Sequence, residues 1–139
     1  MANCTNAGSP GTNVPLPQLT PNTTLNCFLS GYTQSAATLT VSVFQTGNAT
    51  PLASIKGTGT QQNPMTSAAF KIQPGQTYFA TVSSNNGHTA RVLSSYNVVS
   101  NSTTVYEGSY TLCAEDSPNG GDCDFNDCVV TISWTSFAG

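Results

Sequence analysis

The run Asp122-Cys123-Asp124-Phe125-Asn126-Asp127-Cys128-Val129-Val130-Thr131-Ile132-Ser133-Trp134 joins two patterns that decide how the chain is read. From Cys128 onward, Cys128, Val130, Ile132 and Trp134 alternate with Val129, Thr131 and Ser133, which is the period of a half-buried strand. Before it, oxygen donors stand at alternate positions from Asp122, as in a chain wrapping around a cation. The start mimics an EF-hand loop, but that loop needs Gly at its sixth position and an acidic bidentate ligand at its twelfth. Asp127 and Ser133 stand there instead, and no helical pattern follows. The stretch is an acidic loop feeding a strand, and an EF-hand is rejected.

Working outward, the same period-2 pattern recurs. Leu25, Cys27 and Leu29 alternate with polar neighbours, and so do Leu39, Val41 and Val43. Gly47-Asn48 marks a turn, and Leu52 to Ile55 suggests a short strand. Phe70 and Ile72, then Pro74-Gly75, then Tyr78 to Val82 read as two strands around a tight turn. Ser84-Asn85-Asn86-Gly87 is another turn, with further strands near Ala90–Val99 and Thr103–Leu112. Residues 1–21 hold four of the eight prolines and are expected to form an irregular lead-in. The expectation is an all-β fold, an antiparallel β-sandwich of about nine short strands, in a single domain over residues 1–139. The richness in Thr, Ser, Asn and Gly agrees with strands and turns rather than helices, and 139 residues suffice for a real core.

The charge distribution points to a metal. Five of the six acidic residues, Glu115, Asp116, Asp122, Asp124 and Asp127, fall within 13 positions, while Lys56, Lys71 and Arg91 all lie earlier. Carboxylates this crowded repel one another unless something neutralises them, and a hard divalent cation with oxygen ligands is the natural partner. Calcium takes roughly 6–8 oxygens, and the five carboxylates with the Asn126 amide offer more than one ion uses. Two adjacent Ca2+ ions per chain, bridged by shared carboxylates, are therefore expected. The bland alternative is a solvated acidic turn; the clustering in a charge-poor chain and the embedded Phe125 argue against it.

Glu115-Asp116, then Asp122-Cys123-Asp124-Phe125-Asn126-Asp127, then the apolar strand ending at Trp134 and a last Gly139 resemble the C-terminal pattern of the bacterial calcium-dependent fucose- and mannose-binding lectins of the LecB (PA-IIL) family. That pattern is Glu-Asp, a Gly-containing spacer, Asp-x-Asp-Tyr-Asn-Asp, an apolar strand with a Trp, and a terminal Gly. The match covers about 25 residues. The resemblance implies that Glu115, Asp122, Asp124 and Asp127 hold one calcium. It implies that Asp124, Asn126 and Asp127 hold the other, together with a backbone carbonyl from an early loop and a partner subunit's C-terminal carboxylate. Gln34 takes the carbonyl position, with Thr33 as the alternative from a shifted alignment, and Gly139 the carboxylate position. Ser35, Ala36 and Asp116, with Asp122, Asp124 and Asp127, match positions that face the sugar. The implied function is a calcium-dependent carbohydrate-binding lectin of fucose/mannose type, whose sugar hydroxyls are coordinated directly by the two ions, assembled as a homodimer or tetramer. The alternative is a structural or adhesive surface module in which calcium only rigidifies the loop. Two departures stand out: the spacer Ser117-Pro118-Asn119-Gly120-Gly121 and the tail after Trp134 are both longer than the family's.

Other functions are disfavoured. Carboxylates crowded onto calcium would all be ionised, leaving no general acid for glycoside hydrolysis, so no enzyme is expected. A net charge of −3 with the acids in one place argues against nucleic acid. No apolar run is long enough to span a bilayer, so membrane insertion is not expected. The start of the chain has no signal-peptide pattern, although a glycan-binding role implies extracellular or cell-surface action. Five cysteines leave at least one unpaired; Cys4 with Cys27 and Cys113 with Cys123 are the pairings considered. The parity of Cys128 and Trp134 places both toward the core.

Overall fold

The computed structural model describes residues 2–136. Among them nine strands form: β1 (Ser9–Pro10), β2 (Val14–Pro15), β3 (Leu25–Gln45), β4 (Ala53–Pro64), β5 (Ala68–Ile72), β6 (Tyr78–Ser84), β7 (Arg91–Ser100), β8 (Val105–Glu115) and β9 (Cys128–Thr135). Every pairing is antiparallel. The path runs β1-β7-β8-β9-β3-β6-β2, with β4 and β5 both on the other edge of β3. The all-β antiparallel sandwich expected from the alternation is the fold observed.

The strands are not uniformly short. β3 runs unbroken for 21 residues and β4 for 12, where the alternation alone suggests two separate strands near 25–29 and 39–43. The reason lies in what flanks β3. Its first half pairs with β9 and β5, its second half with β6 and β4, so one continuous strand serves both halves of the sandwich. The change of partners occurs between Thr33 and Thr38, where the register against β4 slips twice. Such bulges bend a strand and re-aim its side chains.

Inside, Leu29, Leu39, Val41 and Val43 of β3 pack against Ile55, Ile72, Ala80, Leu112, Val130 and Ile132, all buried. Strict alternation fixes which face of each strand turns inward, because a one-residue slip would expose the whole apolar set. The lead-in corrects the reading of residues 1–21 as merely irregular. Val14, Leu16 and Leu19 are buried in the core, and β1 and β2 pair with β7 and β6. Proline at Pro10 and Pro15 suits such two-residue edge pairings, since it cannot donate to a ladder on both sides.

Trp134 takes the inward parity of β9 and packs against the core, half-buried, with its indole N–H donating to Tyr96 Oη at 3.2 Å. Gly108, its cross-strand partner, leaves the room: a Cβ there would collide with the indole and the Tyr96 hydroxyl. Trp134 lies six residues along β9 from Cys128, roughly 20 Å at strand rise, so it belongs to the end of the sheet away from the acidic loop.

Candidate metal centre

β8 ends at Glu115 and β9 begins at Cys128, so the acidic loop is the connection between two paired central strands. Glu115 and Asp116 are carried to the interior by β8, and both are buried. The loop then returns with Cys123 and Phe125 in left-handed backbone, φ 57° and 56°. An aromatic side chain there costs on the order of 1 kcal/mol or more. These alternate left-handed residues coil the loop. Acidic oxygens of Asp122 and Asp124 reach within 4.8 Å of one another and of a Glu115 oxygen, and oxygens of Glu115, Asp116 and Asp127 form a second such group. Oxygens bound at roughly 2.4 Å to one ion lie no more than about 5 Å apart, so each trio fits around a single cation.

Hydrogen bonds fix the geometry from three sides. The Asp116 N–H donates to Asp127 Oδ2 at 2.8 Å, and the Ser117 N–H to Glu115 Oε1 at 3.1 Å. Asp116 accepts the Ser117 hydroxyl at 3.0 Å on Oδ1 and the Ser35 hydroxyl on Oδ2. Ser35 Oγ in turn accepts the Ala37 N–H at 3.0 Å, and the Gln34 N–H donates to the Asp127 carbonyl at 2.9 Å. The β3 bulge is thus stitched to the acidic loop by both backbone and side chains. Within the loop, Asp124 accepts the Asn126 N–H at 3.2 Å and the Asn126 side-chain amide. From the β6–β7 turn, Asn86 Nδ2 donates to the Asp116 carbonyl at 3.1 Å.

The electrostatics leave the cluster short of positive charge. Arg91 stands opposite Glu115 in the β7–β8 register, yet its guanidinium donates to the Ala7 and Gly8 carbonyls at 2.8 and 2.7 Å. With both carboxyls of Glu115 and Asp127 ionised, Glu115 Oε2 is buried with no donor, a costly arrangement for a charged oxygen. Burial pushes the Asp127 carboxyl up to about 7 despite the Asp116 N–H, and the negative charges of Asp116 and Glu115 add to the rise. A divalent cation relieves all of these at once. The donors are all hard oxygens, which suits calcium rather than zinc.

The site residues expected from sequence therefore gather at one end of the sandwich, with Ala36 exposed at the bulge. Gly139 lies outside the described residues. Asp116, expected to face a sugar, also stands within a metal-sized group with Glu115 and Asp127. Sequence reasoning missed Asn86 and the N-terminal contacts to the loop. Both considered cysteine pairings are corrected: the bond is Cys4–Cys123, across 119 positions, while Cys27, Cys113 and Cys128 are free thiols. Cys27 is held instead in the core opposite Phe70 and Trp134, and Cys113 faces outward one strand from Val129, so neither reaches its supposed partner. An unpaired-looking cysteine between two aspartates was the available signal, but nothing local marks Cys4 as its mate.

The family model for fucose-binding lectin II (PA-IIL) matches residues 17–136. The chain belongs to that family. A lectin of Chromobacterium violaceum, CV2L, solved with alpha-methyl-fucoside, superposes with a TM-score of 0.67 at 25% identity, over 83% of this chain and 92% of that one. The C-terminal domain of the BC2L-C lectin of Burkholderia cenocepacia gives 0.63 at 21% identity, over 82% and 96%. A high-affinity mannose-binding lectin of Ralstonia solanacearum gives 0.63 at 23%, over 88% and 94%. The two latter likenesses speak to the fold alone. No curated protein sequence matches the chain.

Proposed function

We propose that this PA-IIL-family chain is a calcium-dependent lectin for fucose- or mannose-type glycans, with two Ca2+ ions per chain at the β8–β9 loop. The observation that carries this reading is the gathering of acidic oxygens into two metal-sized trios that both include Glu115, a residue with one buried oxygen that has no hydrogen-bond donor. Glu115, Asp122, Asp124 and Asp127 are assigned to one ion. Asp124, Asn126, Asp127 and the Gln34 carbonyl are assigned to the other, with Gly139 of a partner subunit as the ligand that the family resemblance adds. Bound calcium supplies open coordination positions for vicinal sugar hydroxyls, the chemistry that makes a sugar a chelating ligand in place of water.

The chain's own residues do the rest. Asp116 and the ligand carboxylates accept hydroxyl protons in charge-assisted hydrogen bonds. Ser35, already oriented by the Ala37 N–H, presents a hydroxyl that exchanges between Asp116 and a sugar. The exposed Ala36 leaves space at the rim. The reading is of a binding protein, not an enzyme: every acid at the site is assigned as an ionised ligand or acceptor, leaving none as proton donor. Homodimers or tetramers are proposed as the working assembly, giving avidity for clustered glycans. Action outside the cell fits the Cys4–Cys123 bond, which persists in oxidising compartments.

A glycan array probed with and without chelator tests the function. Binding of fucose- or mannose-terminated glycans that vanishes on chelation and returns with calcium is expected. Binding that survives chelation, or none in calcium, refutes it. Calorimetric titration of metal-free protein should count two ions per chain.

A further inference from the structure

We propose that Cys4 is a positioning residue for the metal loop: the Cys4–Cys123 disulfide, with the backbone around it, holds the loop in its ligand-presenting shape before any ion arrives. This rests on the reading of the loop as a calcium site. Cys123 stands between Asp122 and Asp124 and is itself in left-handed backbone. A β-carbon-bearing residue at φ 57° relaxes unless its surroundings hold it. Within the stretch Asp122–Asn126 the hydrogen bonds are those from Asn126 to Asp124, and Asp122 and Asp124 are exposed.

The hold comes from the N-terminus. The Cys4 N–H donates to the Pro118 carbonyl at 2.7 Å, the Gly120 N–H to the Ala2 carbonyl at 3.0 Å, and Asn3 bridges Asn119. The covalent bond then closes the clasp onto Cys123. The N-terminal segment is anchored in turn, since Arg91 grips the Ala7 and Gly8 carbonyls and β1 pairs with β7. The clasp therefore ties Asp122 and Asp124, through Cys123, to the same β7 strand that flanks Glu115. It engages the spacer Ser117–Gly121, the segment longer than the family pattern, so the added length is bound down rather than left free.

A disulfide that acted only on the unfolded chain would raise stability and leave calcium affinity untouched. A positioning bond must alter affinity, and most at the ion assigned to Asp122. The test is calorimetric titration of calcium into metal-free wild type, Cys4→Ser and Cys4→Ser/Cys123→Ser, with far-ultraviolet circular dichroism confirming the β-fold. Loss of about tenfold or more in affinity is expected, the scale seen when groups that orient metal ligands are removed, with the Asp122 ion weakened more than the other. Folded variants that bind calcium as tightly as wild type overturn the clasp while leaving the lectin reading intact. Wild type that takes up no calcium overturns both. Amide exchange on metal-free wild type gives a second test that needs no variant: the Asn126 N–H should be protected. Exchange at the rate of an unstructured peptide would show that the loop is not preformed.

Discussion

Asp127 carries the electrostatic conflict on which the proposed calcium reading rests. Its carboxyl accepts the Asp116 N–H, which favours the charge, yet burial and the charges of Asp116 and Glu115 raise it to about 7. In the folded, metal-free protein Asp127 therefore binds its proton more tightly than in the unfolded chain, where an aspartate titrates near about 3.9. The stability linked to that proton is fully present below about pH 4 and is lost as pH rises through about 7. Melting with chelator present should show this group's contribution falling over that window, and Asp127→Asn should flatten the slope. With calcium present the dependence reverses, because binding displaces the proton, so calcium affinity should fall as pH drops from 7 toward 5. Glu115 makes a second case. Glu115→Gln removes one buried charge from two acidic groups at once. Its metal-free melting temperature is expected to rise by about 3 °C, on the order of 1 kcal/mol, while calorimetry registers weakened calcium. A metal-free protein destabilised by Glu115→Gln would mean that Oε2 is satisfied in some other way.

Among the elements, β3 matters most, since it pairs with β4, β5, β6 and β9 and carries the bulge that reaches the acidic loop. Its two halves were legible from the alternation of Leu25 to Leu29 and Leu39 to Val43. Their continuity was not, because Gly31 to Ala37 lacks both a turn residue pattern and a clean period, and only the four partners reveal why the chain never breaks. The acidic loop was legible because its residues are neighbours in sequence and their charges announce themselves. The Cys4–Cys123 clasp was invisible for the opposite reason, as its two halves lie 119 positions apart. Truncating the core of β3 with Leu29→Ala should cost roughly 3 kcal/mol, within the usual range for a buried leucine, measured by denaturant unfolding. The bulge is probed by Ser35→Ala, which removes the hydroxyl donor to Asp116 Oδ2 and keeps the Ser117 hydroxyl on Oδ1. Sugar affinity is expected to fall by about tenfold, the scale of one hydrogen bond to a charged group, and the ratio of fucose to mannose affinity to change. An unchanged ratio would move sugar discrimination away from Ser35.

At the scale of the whole molecule, the sandwich is a frame with a packed core and, at one end, a cluster of crowded carboxylates that the proposed calcium ions would neutralise. Strands β8, β9 and β3 converge where Glu115, Asp127 and Ser35 meet, while the opposite end is closed by Trp134 on Tyr96, with the Tyr110 ring tilted against that of Tyr96. Calcium that binds only the folded chain adds stability by mass action, about 2.7 kcal/mol for a site at a hundredfold excess over its dissociation constant. For 139 residues this corresponds to a rise in melting temperature of roughly 8 °C per site. Scanning calorimetry across a calcium series should therefore give a melting temperature that climbs with the logarithm of free calcium. Fucose or mannose should raise it further only when calcium is present, because the proposed reading assigns the sugar's anchoring positions to the ions. If sugar raised the melting temperature equally in chelator, its binding would not depend on the metal, and calcium would be reduced to a brace for the β8–β9 loop.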